Sequence, residues 1–225
     1  MAAASDVTPA GLAGTWALVL DTATLAKVPV LGTTTIRTHQ TMLASVVPAG
    51  SGLQMTHRTC DLAAETRPAL ATTHFPRAFI DAIPDKTYPL EWREEAGRLR
   101  VHMNLQPLAI GFDPAQSGGI PTSLDAPGVV DWDNDGKAAA TIHLDVPILG
   151  TVEVYQVQEA TALLDGVVQN IDEITGSATV QGLKQRTLGA SNRLFIQNPA
   201  LTADPSSSTF HMRRVPEGTG CGSGG

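Results

Sequence analysis

Charge is scarce in this chain: only 16% of its 225 residues are Asp, Glu, Lys or Arg, and 15 basic residues face 22 acidic ones. A net charge of −7, with no basic run longer than Arg213-Arg214, removes the electrostatic footprint of a nucleic-acid binder. Long apolar runs are missing as well. The stretch from Gly14 to Leu20 is stopped by Asp21 and Thr22, far short of the roughly 20 residues a membrane-crossing helix needs, so no transmembrane span is expected. Cysteine is limited to Cys60 and Cys221, and neither lies in a C-x-x-C pair, which disfavours a zinc ribbon and a thioredoxin-type redox site. The six histidines, His39, His57, His74, His102, His143 and His211, fall at no H-x-H, H-x-x-H or H-x-x-x-H spacing. No G-x-S-x-G elbow, Walker loop or G-x-G-x-x-G entering a helix is present, which leaves nucleophilic and nucleotide chemistry without a foothold. The start, Met1-Ala2-Ala3-Ala4-Ser5-Asp6, has neither the basic nor the apolar region of a secretory signal. The expectation from this is a cytosolic chain or one whose leader has been removed.

What remains is a chain with 42% hydrophobic residues and a mean hydropathy of +0.01, able to bury a core and unlike a disordered, collagenous or coiled-coil sequence. Its apolar residues recur with period two. In Arg98-Leu99-Arg100-Val101-His102-Met103-Asn104-Leu105-Gln106 every second side chain is apolar, which predicts a half-buried strand with Leu99, Val101, Met103 and Leu105 inward. Less regular alternation predicts strands over 15–21, 33–39, 53–59, 139–146, 151–158, 177–183 and 192–197, with Pro and Gly gathered between them. One short helix is expected over 76–83, where Pro76 opens the first turn, Phe79, Ile80 and Ile83 share a face and Pro84 ends it.

Val28-Pro29-Val30-Leu31-Gly32-Thr33 recurs as Val146-Pro147-Ile148-Leu149-Gly150-Thr151. Two readings stay open: a pair of related β-halves, 12–110 and 128–215, or a strand–turn–strand punctuation used twice. Both predict a hairpin at each copy. The expected fold is therefore all-β, an antiparallel barrel or sandwich from two related halves, forming one domain over 12–215. It would be flanked by an N-terminal tail, 1–11, and a flexible Gly-rich tail, 216–225. Between the halves, residues 111–127 are too rich in Pro, Gly, Ser and Asp to keep a sheet ladder, so a long binding loop is expected there.

Asp131-Trp132-Asp133-Asn134-Asp135-Gly136-Lys137 carries the one motif with chemistry in it. Alternate carboxylates on a tight loop can converge on one hard cation, and the glycine allows the sharp turn. Over these seven residues the chain resembles the calcium loops of EF-hand, dockerin-like and thrombospondin-type repeats. The resemblance implies side-chain ligands from Asp131, Asp133 and Asp135, a carbonyl ligand from Lys137, and a structural calcium ion. It fails further on, because Ala139 and Ile142 occupy the ninth and twelfth positions and a strand pattern follows. The missing bidentate acid must then come from elsewhere, with Asp125 the nearest candidate in sequence. A solvated turn of acids is the alternative.

Gly14-Thr15-Trp16 is similar to the G-x-W opening of lipocalins, in which the Trp closes one end of an eight-stranded barrel. The phrase from Gly128 through Gly136 into a strand also resembles secreted or lipid-anchored β-proteins of myxobacterial type, which implies a fold and a location but no activity. His143, Glu153 and Tyr155 could form an acid/base cluster if their strand faces coincide inside a barrel; otherwise they point into water. Cys60 and Cys221 either close a long loop, worth about 4–5 kcal/mol in the loop-entropy model, or stay as thiols.

These features support an extracytoplasmic, secreted or envelope-associated protein, more a binder than an enzyme. Its expected partner is a small hydrophobic molecule such as a lipid, or an envelope component. A cavity lined by Val, Leu, Ile, Ala, Met and Thr would suit an elongated apolar guest, given an aromatic content of 4%. The alternatives are a calcium-stabilised surface or adhesion module without a cavity, and a barrel enzyme with an interior acid/base cluster.

Overall fold

The computed structural model describes residues 7–28, 32–69 and 71–222. Twelve strands form one antiparallel sheet: β1 (Gly14–Val28), β2 (Gly32–Ala49), β3 (Gly52–Arg67), β4 (Thr72–His74), β5 (Lys86–Glu95), β6 (Arg98–Asn104), β7 (Leu108–Ile110), β8 (Ala140–Val146), β9 (Gly150–Asn170), β10 (Glu173–Ala190), β11 (Ala200–Ala203) and β12 (Thr209–Val215). Backbone pairing runs β1-β2-β3-β5-β6-β9-β10-β12 and back to β1, closing a ring of eight strands without an unpaired edge. Towards the other end the long strands β1, β2, β3, β9 and β10 continue. There β4 and β8 bridge β3 to β9, and β11 takes the place of β12 beside β1.

Period-two patterning has its predicted consequence on β6, where Leu99, Val101 and Met103 point inward and, with Leu105 just beyond, are at most 7% exposed. The same alternation on the other strands sends Trp16, Leu18, Met42, Met55, Tyr88, Leu164, Ile174, Phe210 and Met212 into one cluster. It packs the end of the ring that holds the β2–β3, β5–β6 and β9–β10 turns. Gly166 and Gly176 face each other across β9 and β10 under the Phe210 ring, where an added Cβ on either would collide with that ring.

The repeated V-P-x-L-G segments flank a hairpin at each copy, with Val28 paired to Gly32 and Val146 paired to Gly150. Residues 29–31 lie outside the described residues. Register passes from β2 through β3 and β4 to β8 and places both turns at the end of the ring opposite the packed cluster.

Several elements differ from the sequence expectation: β4, β5, β7, β11 and β12 form where no strand is predicted, and two further segments change type. Residues 192–197 were expected as a strand, but Asn192 caps a 3-10 turn, Arg193–Phe195, by accepting from the Leu194 N–H at 3.1 Å. Such local side-chain bonding competes with a ladder. A second short helix, α2 (Pro114–Ser117), lies inside the long loop, started by Asp113, which accepts from the Ala115 N–H. The loop itself packs onto the sheet. Phe112 is buried, and Ile120, Leu124 and Val129 pack with Tyr155, Val157 and Leu188 against the outside of β9 and β10. The expected helix is α1 (Arg77–Asp81), with Phe79, Ile80 and Ile83 all below 9% exposure.

Candidate functional site

Two places among the described residues are candidate sites: the interior of the ring and the acidic loop before β8.

The half of the ring nearer the repeated turns is not filled. A cavity of about 310 Å³ lies between the inner faces of β1, β2, β3, β9 and β10, closed at the side by α1, β7 and β8. That is at the lower end of volumes that hold small ligands. Two extra residues shape it. Thr41 pairs with Asp61 and Met42 with Thr59, so Cys60 is a bulge on β3. Before it, Met55, His57 and Thr59 face inward; after it, Leu62, Ala64 and Thr66 do. On β10 a register shift between Gln181 and Lys184 likewise moves the inward set from Val180 to Leu183 and Gln185.

The lining differs from the expected one in two ways. Met42, Met55, Met103 and Met212 all lie in the packed end. In their place the cavity wall carries Gln40, Gln106, Gln156, Gln158 and Gln185 among Leu, Ile, Phe and Thr side chains. At its floor, against the packed cluster, His57 and Tyr88 form a buried pair, with Nδ1 and the phenolic oxygen 2.8 Å apart. Burial pushes the His57 imidazole down to about 4 and the Tyr88 phenol well above its ordinary value. Sequence reasoning named no cavity residue, because period two alone cannot say where a bulge reverses the inward face.

The acidic loop is held by backbone bonds at both ends: Ala139 N–H donates to Val130 O at 2.9 Å, and Trp132 N–H to Ala139 O at 3.2 Å. Inside it, Asp131 accepts from the Asp135 and Gly136 N–H groups at 3.1 and 3.0 Å. Asn134 and Gly136 take left-handed backbone with φ of 54° and 84°, which is the turn that the glycine was expected to allow. Ligand atoms of Asp131, Asp133 and Asp135 all lie within 4.8 Å of one another, close enough to hold a metal ion.

Within this cluster Asp133 is 5% exposed, and its Oδ1 is buried without a hydrogen-bond partner. Burial, with the negative charges of Asp135 and Asp131 beside it, raises its pKa. Burial acts the same way on Asp135, but the Thr141 hydroxyl, donating to Oδ2 at 2.7 Å, and Lys137 outweigh it and hold that carboxyl low. An orphaned carboxylate oxygen beside two further carboxylates is the donor set that a hard cation would complete.

Asp125 is not among the converging atoms; the neighbouring Ser123 side chain holds its carboxyl below the ordinary range. Lys137 turns its ammonium to Glu153 Oε2 at 2.7 Å and to Asp135 Oδ2 at 3.5 Å. The acid that reaches the loop from β9 is Glu153, which meets the Lys137 ammonium and is not among the converging carboxylates. It also accepts from the Tyr155 hydroxyl at 3.0 Å, with His143 Nε2 4.0 Å from its Oε1. His143, Glu153 and Tyr155 therefore do share a face, but it is the outer one: the cavity is lined from the alternate positions Ile142, Leu144, Gln156 and Gln158.

Comparison of the chain with protein-family models, curated proteins and solved structures finds no match. The lipocalin and myxobacterial resemblances gain nothing from it.

Proposed function

We propose that this protein is a non-enzymatic binder of a small hydrophobic molecule such as a lipid, exported or envelope-associated, with a structural calcium ion on the 131–135 loop. The observation that carries the reading is the 310 Å³ cavity within a ring whose other end is fully packed. Trp16 at the packed end, behind a cavity at the other, fits the arrangement that the lipocalin resemblance implies. Calcium is favoured over softer metals because every converging ligand is a carboxylate oxygen. The Cys60–Cys221 disulfide supports an oxidising, extracytoplasmic location.

Native mass spectrometry of freshly purified protein tests both parts, with the expected result a retained hydrophobic molecule and a calcium ion as separate mass increments. Protein that carries no such molecule, and takes up neither lipid nor an apolar fluorophore on titration, overturns the binder reading. The surface-module alternative is favoured by one observation: Ile148, Leu149, Leu194 and Ile196 are exposed at the repeated-turn end. It predicts association through that end with the cavity unused.

A further inference from the structure

We propose that the guest of the cavity is an amphiphile with a carboxylate head, its charge met by Lys86 and its hydrocarbon laid along the apolar walls. This rests on the cavity being the binding site.

Among the described residues that line the cavity, Lys86 is the sole Lys, Arg, Asp or Glu. Its ammonium donates one hydrogen bond, to Pro107 O at 3.2 Å, and no carboxylate pairs with it among the described residues. An ammonium has three N–H donors, so two remain for a guest. Lys86 is half-buried on the wall of an otherwise uncharged cavity, and an anionic group is the partner its ammonium would take up through charge-assisted hydrogen bonds.

The neighbouring polar groups fit the same head. Lys86 stands directly across from His57 in the β3–β5 register. Burial keeps the His57 imidazole neutral at physiological pH, so it contributes a hydrogen bond and no second charge. Tyr88 fixes that ring through Nδ1, and Nε2 has no protein partner among the described residues. One positive charge with neutral hydrogen-bonding neighbours matches a monoanionic carboxylate better than a phosphomonoester of about −2. Beyond this level, Ile36, Leu62, Phe75, Leu144 and Leu201 give the tail an apolar path towards the repeated turns.

The test is calorimetric titration of the delipidated full chain with dodecanoate, methyl dodecanoate and dodecanol, repeated with Lys86→Met and Lys86→Arg. The expected result is that dodecanoate binds at least about tenfold more tightly than its ester, the size of one charge-assisted pairing. The preference should vanish in Lys86→Met and survive in Lys86→Arg. Equal binding of acid and ester by the unaltered protein overturns this inference and leaves the hydrophobic-binder reading standing. A preference that persists in Lys86→Met also overturns it, since the head then sits elsewhere. Binding of none of the three probes overturns the inference together with the reading beneath it.

Discussion

The Arg214 guanidinium lies over the Trp16 ring, 4.5 Å from its centre, and makes the packed end of the ring a single tied unit. It donates to Gly11 O at 2.6 Å, Ala13 O at 2.8 Å and Ile171 O at 2.9 Å, and pairs with Asp172 at 3.1 Å. The Trp16 indole N–H donates to Leu12 O at 3.0 Å. One side chain thereby joins the 3-10 turn Pro9–Leu12, the β9–β10 turn and β12. Arg214→Lys keeps the charge but loses the planar stack and most of the fork. We expect it to cost about 2 kcal/mol, a fall of roughly 2–4 °C in Tm per kcal/mol. A thermal melt unchanged within error would show that these contacts carry no stability.

The disulfide makes a second, separable contribution. Cys60 and Cys221 are joined across 161 positions, and a loop of that length puts the chain-entropy gain at about 5 kcal/mol, with strain and residual structure reducing it. Cys60 is free to bond outward because it is the bulged residue of β3. Cys60→Ser with Cys221→Ser is expected to lower stability by about 2–5 kcal/mol in urea and to make the protein indifferent to reductant. If dithiothreitol leaves the urea midpoint of the unaltered protein where it was, the crosslink is not holding the fold.

Much of the fold was legible in the sequence, because alternation is a local signal and β6 or β8 needs only its own residues to declare it. The hairpins at the two V-P-x-L-G copies were readable for the same reason. The short strands β4, β7 and β11 were not, since three or four residues carry too little periodicity; nor were β5, whose alternation is broken by Pro89 and ends in a polar run, and β12, where only Phe210 and Met212 alternate before Arg213-Arg214. Asn192 overrode the pattern over 192–197 by capping a turn. The aspartate cluster was legible as spacing. The Lys137–Glu153 pair was not, because Lys137 lies in the loop before β8 and its side chain reaches a residue of β9 16 positions away. The cavity lay furthest from the sequence: it depends on bulges at Cys60 and after Gln181 that no motif marks.

His57 makes the fold sensitive to acid. Its folded pKa of about 4 lies below the ordinary 6.5, so the unfolded chain takes up the proton first. Stability from the neutral ring is full above about pH 6.5 and drains away as pH falls towards 4. The window corresponds to about 3 kcal/mol. Urea unfolding at pH 7.5 and pH 4.5 should therefore show a loss in the unaltered protein that His57→Gln largely lacks, after the variant's lower starting stability is subtracted. Parallel losses in the two proteins would mean that the imidazole is solvated at both pH values.

Asp133 decides whether the loop is a cation site or a decorated turn. Its buried, unpartnered oxygen is unfavourable as long as nothing meets it, so removing the charge should help the metal-free protein and harm the loaded one. In chelator, Asp133→Asn is expected to melt at or above the temperature of the unaltered protein. In calcium at a hundredfold excess over Kd, the unaltered protein should gain about 2.7 kcal/mol and the variant little. Asp131→Asn tests a different feature, because Asp131 also orders the loop by accepting from Asp135 and Gly136; it should destabilise in both conditions. If Asp133→Asn destabilises the metal-free protein as much as Asp131→Asn does, the Asp133 carboxylate is a structural acceptor and the cation reading fails.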